Sequence, residues 1–468
     1  MLFNSLHFLF FLPLVVSLYY FTAHNYRWIL IFIASCYFYM AFVPKYILVL
    51  FLIILIDYIS ALTIEQVQGK LKRFYLLASL SSNILLLAFF KYFNFLNDNL
   101  EFVFSFFGKE YHRVNLDIIL PIGLSFHTFQ SMSYTIEVYR GRQKAERHLG
   151  YFANYVLFFP QMVAGPIERY ASLGQELKAV HVPVYTNITN GLKLVFFGLF
   201  VKMTIADNLA PFVNDIFAAP EKHSSLDVLG AIFAFSFQIY ADFFSYSTIA
   251  LGAARMLGIT IMDNFKTPYL SKSVSEFWTR WHISLSTWFR DYLYIPLGGN
   301  RVKVPRWALN IMIVFMVSGL WHGANWTFVV WGALHGLMLL LERFSSRLFR
   351  FEIKPGWSFL NVLLCAKTFL ITSFIWVFFR AESFQQAGDV FRALLNRWDT
   401  DSYYVMLVKV GSIGVLMALL DIFLYGSRFE SRMNTLPVLP RWSIYFILFG
   451  GLLMFAGIQK FNFIYFQF

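Results

Sequence analysis

The sequence predicts an all-α, polytopic membrane protein that forms one domain over residues 1–468. Three observations carry that reading. Of the 468 residues, 58% are apolar and only 14% charged, against about 45–50% and about 25% in soluble domains. Phe occurs 57 times and aromatic residues make up 20% of the chain, leaving too few charges to coat the several soluble domains this length would otherwise suggest. The apolar residues also fall in runs long enough to cross a bilayer, which takes about 20 residues. A soluble enzyme, a disordered chain and a fibrous repeat are excluded.

In chain order the runs are 5–22, 28–43, 45–63, 74–95, 117–137, 190–210, 227–257, 308–322, 325–342, 357–379, 404–424 and 441–459. They predict about twelve transmembrane helices, with a range of about 11–13 set by their boundaries. The first run has no basic stretch before it and no small-residue cleavage pattern after it, so it reads as a retained helix. The stretches 150–172 and 272–300 are apolar and aromatic but interrupted by Pro, Gly and charges. They predict re-entrant or interfacial helices, which need protein or water to satisfy their backbone. No internal repeat or heptad series is visible.

The net charge of +12, from 38 Lys and Arg against 26 Asp and Glu, sits mainly in five connections. These hold Lys70, Lys72 and Arg73; Arg140, Arg142, Lys144 and Arg147; Arg301, Lys303 and Arg306; Arg343, Arg347, Arg350 and Lys354; and Arg428, Arg432 and Arg441. With the runs above, all five fall on one side if the N-terminus lies outside, as the positive-inside rule requires. No nucleic-acid-binding signature accompanies the charge, so lipid is the expected surrounding and no nucleic-acid partner is expected. Cys36 and Cys365 lie in apolar runs and predict neither a disulfide nor a metal site.

An ionisable side chain inside a span costs about 2.5–3.5 kcal/mol on insertion scales, so it normally faces a cavity or a partner. His7, His24, His112, His148, His181, His223 and His335 lie near ends, in loops or without polar company. His112 and Asp117 share the H-x4-D spacing of some glycerolipid acyltransferases but lack the surrounding motif, and chance explains the pair. His127 lies mid-span with Ser125, Gln130 and Ser131 nearby. It fits either a hydrogen-bonded interior histidine or a channel-lining one. His282 lies where apolar positions 274, 277, 278, 281, 285, 288, 289 and 292 repeat at helical spacing, with Ser286 and Arg290 toward the opposite face. That face suits either lipid headgroups or a site. His322 falls between two apolar runs, below the expected membrane surface, where Gly323 and Ala324 permit close approach.

No G-x-S-x-G, H-E-x-x-H, Walker or G-x-G-x-x-G motif is present, so no bound cofactor and no metal are expected. Two histidines forty positions apart in an aromatic membrane scaffold point instead to acid–base help in group transfer. A neutral imidazole is the form a general base requires.

At these residues the sequence resembles the membrane-bound O-acyltransferases, and within them the bacterial alginate O-acetyltransferase branch. The matching segments include Arg280-Trp281-His282-Ile283-Ser284-Leu285-Ser286, followed by Trp288-Phe289-Arg290-Asp291-Tyr292, and Gly319-Leu320-Trp321-His322-Gly323-Ala324-Asn325-Trp326 with Trp331-Gly332. Phe159-Pro160-Gln161-Met162-Val163-Ala164-Gly165-Pro166 and Gln238-Ile239-Tyr240-Ala241-Asp242-Phe243 also match. Trp376-Val377-Phe378-Phe379-Arg380 and the terminal Asn462-Phe463-Ile464-Tyr465-Phe466-Gln467-Phe468 complete the set.

The resemblance implies a ring of membrane helices around a central channel, with re-entrant helices and a catalytic region over about 272–336. It assigns the family's invariant histidine to His322 and its second catalytic position to His282. Asp242, Trp281, Ser286, Arg290, Asn325 and His127 are candidates for lining the substrate channel. It further implies a bacterial cytoplasmic (inner) membrane location, acetyl-CoA as the acyl donor and an extracytoplasmic polysaccharide such as alginate or peptidoglycan as final acceptor. An extracytoplasmic SGNH-type acetyltransferase is the expected partner. Transfer of D-alanyl or lipid acyl groups is the alternative within the superfamily. A transporter of donor or polymer is the alternative outside it, and would call for inverted repeats that the sequence does not show.

Overall fold

Long apolar stretches with little Pro or Gly satisfy their own backbone only as helices, and every regular element described is helical. The structure is a computed structural model that describes residues 1–114, 116, 120–162, 165–349, 356, 358–396, 404–455 and 463–464. Asp117, Val163, Ala164 and most of the terminal 462–468 motif lie outside the described residues.

In chain order the helices are α1 (Leu6–Phe21), α2 (His24–Met40), α3 (Ile47–Gln66), α4 (Gly69–Leu87), α5 (Phe93–Phe106), α6 (Leu124–Tyr139) and α7 (Leu149–Leu157). They continue as α8 (Gln175–Lys178), α9 (Tyr185–Phe200), α10 (Asp207–Ala218), α11 (Ser225–Met256), α12 (Val274–Arg280), α13 (Ile283–Phe289) and α14 (Val304–His322). The chain ends with α15 (Trp326–Phe349), α16 (Phe359–Arg380), α17 (Phe384–Asn396), α18 (Tyr404–Leu424), α19 (Phe429–Thr435) and α20 (Val438–Phe455).

Each of the predicted runs contains a helix. Among the described residues, eight helices are long and apolar enough to cross a membrane, or nine if Val408–Leu424 and Phe429–Thr435, bent by 71°, count as one span. The runs at 5–22, 28–43 and 117–137 fold as α1, α2 and α6, of 16, 17 and 16 residues. The last starts later than its apolar run because Pro121 precedes a left-handed Gly123 (φ 73°). The chain is therefore a multi-pass membrane protein. The apolar excess is spent outward as well as inward: Phe10, Phe21, Phe102, Phe106, Leu439 and Phe446 are exposed, as side chains bathed in lipid can be.

The chain divides into two compact units, Met1–Leu192 with Ala250–Met262, and Lys193–Ile249 with Asp263–Phe468. In the first, α3 packs on α4 and α6 around a buried carboxylate. Asp57 of α3 accepts hydrogen bonds from Ser79 and Asn83 of α4 and from Ser131 of α6. A buried charge is tolerated only when so surrounded by donors. In the second, α14 and α15 form a close hairpin, α15 packs on α12 and α16, and α12 on α13. That unit carries both candidate histidines.

Candidate active site

The site is built from a helix pair and a broken helix. Along α14 and α15 the backbones touch. A Cβ added at Gly319 would lie 2.1 Å from the Phe328 carbonyl oxygen, and one at Gly332 2.1 Å from the Phe315 carbonyl oxygen. Small residues permit this approach between membrane helices. One turn beyond Gly319, His322 is the last residue of α14, and Gly323 then leaves the helix in an extended conformation. Gly323 also has a packing reason, because a Cβ there would lie 2.1 Å from the Phe328 ring. His322 is buried, its ring 5.2 Å from that of Trp331 and 5.4 Å from that of Phe379.

His282 is placed differently from the sequence expectation. The single amphipathic helix over 274–292 is broken at Trp281 and His282 into α12 and α13, and residues 290–294 widen into a π-turn. Each of the two pieces is anchored at its start. Ser273 caps α12 by accepting the Glu276 N–H at 3.0 Å, and Glu342 of α15 accepts the N–H groups of Val274 at 2.8 Å and Ser275 at 3.1 Å. Asn264 holds the start of α13. Its carbonyl accepts the Ile283 N–H (3.0 Å), and its side-chain oxygen accepts the Ser284 hydroxyl (2.6 Å) and N–H (3.3 Å). The first N–H groups of a helix have no partner within it, so this capture fixes where α13 begins.

Between the anchors His282 takes φ 43°, ψ 54°. It and Thr267 are the non-glycine residues with positive φ among the described residues. That conformation is uncommon for a side-chain-bearing residue, and such strain persists only where the surroundings over-determine it.

The break turns His282 inward. It is fully buried, edge-on to Phe243 at 4.6 Å, with its ring centroid 6.3 Å from that of His322. Ring nitrogens at that separation are at least about 3.9 Å apart, too far for a direct hydrogen bond.

The remaining sequence candidates separate into groups. Ser286 and Arg290 line a cavity of about 420 Å³ together with Trp278, Tyr294, Phe315 and Ser318, and Arg290 pairs with Asp291 at 2.8 Å. Trp281 lies in the aromatic core, stacked on Phe277 at 5.4 Å and 5.1 Å from Trp376. Asn325 caps α15 by accepting the Thr327 N–H (3.0 Å) and donates to the Glu382 carbonyl (2.7 Å). Asp242 does not line the cavity. It is buried in an ion pair with Lys202 (2.6 Å), which also meets Asp207 (2.8 Å), and it accepts the Ile464 N–H (2.7 Å). His127 lies in the first unit, where its Nδ1 meets the Val156 carbonyl at 2.8 Å. No group of three or more His, Cys, Asp or Glu among the described residues could hold a metal ion.

Sequence reasoning missed Asn264, Glu342 and His335. His335 had been set aside for lack of polar company, yet Trp278, 57 positions away, donates to its Nδ1 at 3.3 Å. The only sequence signal was its place one turn beyond Trp331, on the same face of α15.

The fold is that of a many-helix membrane protein that buries two imidazoles with ring centroids 6.3 Å apart. The chain belongs to the membrane-bound O-acyltransferase family, whose profile matches residues 16–381. It is 37% identical over 434 residues to a probable alginate O-acetylase AlgI of Azotobacter vinelandii, covering 92% of this chain and 85% of that one. A peptidoglycan O-acetyltransferase of Helicobacter pylori is 35% identical over 391 residues, 78% of this chain and 73% of that one. A teichoic acid D-alanyltransferase of Streptococcus thermophilus is 31% identical over 238 residues, 47% of this chain and 56% of that one. The chain is thus an O-acyltransferase.

Proposed function

We propose that this acyltransferase takes an acetyl group from a cytoplasmic thioester, acetyl-CoA, and delivers it across the bacterial inner membrane for O-acetylation of an extracytoplasmic polysaccharide such as alginate or peptidoglycan. The observation that supports it is the close, buried His282–His322 pair, together with a 420 Å³ cavity lined by Ile283, next to His282, and by Ser318, one turn before His322 on α14. The cavity wall is largely apolar, with Ser286, Ser318 and Arg290 as polar points. It suits a slender pantetheine arm and is too small for a polymer. The relatives named for alginate and peptidoglycan acetylation support the acetyl group and the acceptor class.

In this mechanism His322 takes the proton of an accepting hydroxyl as its oxygen adds to the thioester carbon. His282 polarises the carbonyl or holds the donor. The tetrahedral adduct expels the thiolate, which recovers the proton from His322. The basic connections face the cytoplasm and the N-terminus lies outside, and a separate SGNH-type acetyltransferase completes transfer to the polymer.

The test is acetyl transfer and acetyl-CoA hydrolysis by protein reconstituted in liposomes, alone and with the partner. General-base help is worth about 10²–10⁴-fold, so His322→Ala should lose that much while inserting normally. Wild-type rates from His322→Ala would overturn the base assignment. Activity confined to a carrier-protein D-alanyl thioester or to long-chain acyl-CoA would overturn the acetyl reading.

A further inference from the structure

Three buried hydrogen-bond donors in one ring cluster have no acceptor among the described residues: Nε1 of Trp331, Nε1 of Trp376 and Nε2 of His335. Trp331 and His335 sit one turn apart on α15 and Trp376 is on α16. All three side chains are fully buried. Their rings touch one another, with centroids 5.1 Å apart for Trp331 and His335, 5.5 Å for Trp331 and Trp376, and 6.2 Å for His335 and Trp376.

The protonation of His335 follows from its neighbour. An indole nitrogen only donates, so the Trp278 N–H on Nδ1 at 3.3 Å makes Nδ1 the acceptor and leaves the proton on Nε2. The cluster therefore offers N–H groups and no acceptor. Buried polar groups almost always find a partner, and phenylalanine would fill the same aromatic space without a desolvated donor. Trp331 is also the member whose ring meets His322, at 5.2 Å.

We propose that these three N–H groups receive the carbonyl oxygen of the acyl thioester, Trp331 being the principal donor, and stabilise the negative charge it acquires. This rests on the reaction proposed above. When the hydroxyl oxygen bonds to the thioester carbon, its proton passes to His322 and the carbonyl π pair moves onto the oxygen held by the donors. That pair returns as the carbon–sulfur bond breaks, and the leaving thiolate takes the proton. Donors fixed in a dry site before charge develops are worth more than the same groups in water, about 10²–10³-fold in kcat for one such donor.

The experiment replaces Trp331 with β-(3-benzothienyl)alanine, which keeps the fused ring and removes the N–H, alongside Trp331→Phe and Trp376→Phe. Reconstituted proteins are assayed with acetyl-CoA, and their thermal midpoints are measured. Binding of S-acetonyl-CoA, a ketone, is compared with that of S-ethyl-CoA, which lacks the oxygen. The expected result for the benzothienyl protein is a kcat loss of about 10²–10³-fold with KM within about threefold. Its thermal midpoint should be unchanged or higher, and the wild-type preference for the ketone should disappear.

A benzothienyl protein with wild-type kcat and a lowered midpoint would overturn the proposal, because its N–H would then be satisfied by a neighbouring π face and serve packing alone. A wild-type protein that turns over no acyl thioester would instead sink the reaction reading, and this inference with it.

Discussion

The glycine contact between α14 and α15 gives the sharpest prediction. In Gly319→Ala the new Cβ lies 2.1 Å from the Phe328 carbonyl oxygen and 2.9 Å from its carbon, whereas ordinary contact begins at 3.4 Å. The obstacle is backbone, so no side chain can rotate away, and the helices must part by on the order of 1 Å. Overpacking of this kind costs about 1–3 kcal/mol of stability. His322 stands one turn further along α14 and follows the shift, and displacing a reacting group by about 1 Å can cost 10²-fold in rate. The assay is acetyl transfer by the reconstituted variant with its thermal midpoint measured in parallel. Gly411→Ala, where nothing lies within 4 Å, is the control for helix propensity. Gly332→Ala should reproduce the defect from the other helix, since its Cβ meets the Phe315 carbonyl oxygen at 2.1 Å. Wild-type rates from both hairpin variants would refute the claim that this contact sets the position of His322.

Further perturbations follow from other anchors. Asn264→Ala removes the acceptors of Ser284 and should lower stability by about 1–3 kcal/mol, with kcat falling more than KM. Asn264→Asp, which keeps the acceptor oxygen, should retain most activity; equal loss in both would refute the anchoring role. Asp242→Ala leaves Lys202 with Asp207 alone and frees the Ile464 N–H, and breaking such a buried pair costs about 3–5 kcal/mol. An unchanged denaturation midpoint would count against it. Glu146 lies in the connection between α6 and α7. Burial pushes its carboxyl up, but Lys178, the Tyr170 hydroxyl and the His148 N–H outweigh this and hold it below the ordinary glutamate value. Its folded-state pKa is lowered, so its stabilisation is present above about pH 4.3 and is lost as pH falls below that. Glu146→Gln should therefore flatten the acid limb of the stability–pH curve, and an unaltered limb would remove Glu146 as its source.

Which parts of this architecture could be read from the sequence depends on how far the responsible contact reaches. Membrane helices were legible because their cause is local: an apolar run must bond its own backbone in lipid. His322 stood out because it falls between two such runs beside a glycine. The break at His282 was illegible. Trp281-His282-Ile283-Ser284 contains no Gly or Pro, and the apolar period runs through it unbroken. What breaks the helix is Asn264 taking the Ile283 and Ser284 N–H groups, while Glu342 fixes where α12 begins, and neither contact leaves a mark in the local pattern. His335 looked isolated for the same reason, its partner being Trp278 from another helix.

Both histidines stand at helix ends, and this has a mechanical consequence. A residue in mid-helix shares its orientation with neighbours one turn away, so moving it moves a whole face. His282 precedes α13 and His322 closes α14, so each ring is aimed by its own fixings. For His282 these are the Asn264 capture and a strained left-handed backbone. For His322 they are a backbone contact that only glycine permits. Asn264 lies outside the α14–α15 contact, so Asn264→Ala should leave the His322 ring in place and its activity loss should multiply with that of Gly319→Ala. Additivity holds for sites without shared partners and fails for groups acting as a unit. Combining Asn264→Ala with Gly319→Ala therefore measures whether the rings act in succession. A double variant no slower than the worse single one would mean that the imidazoles work only as a joined pair.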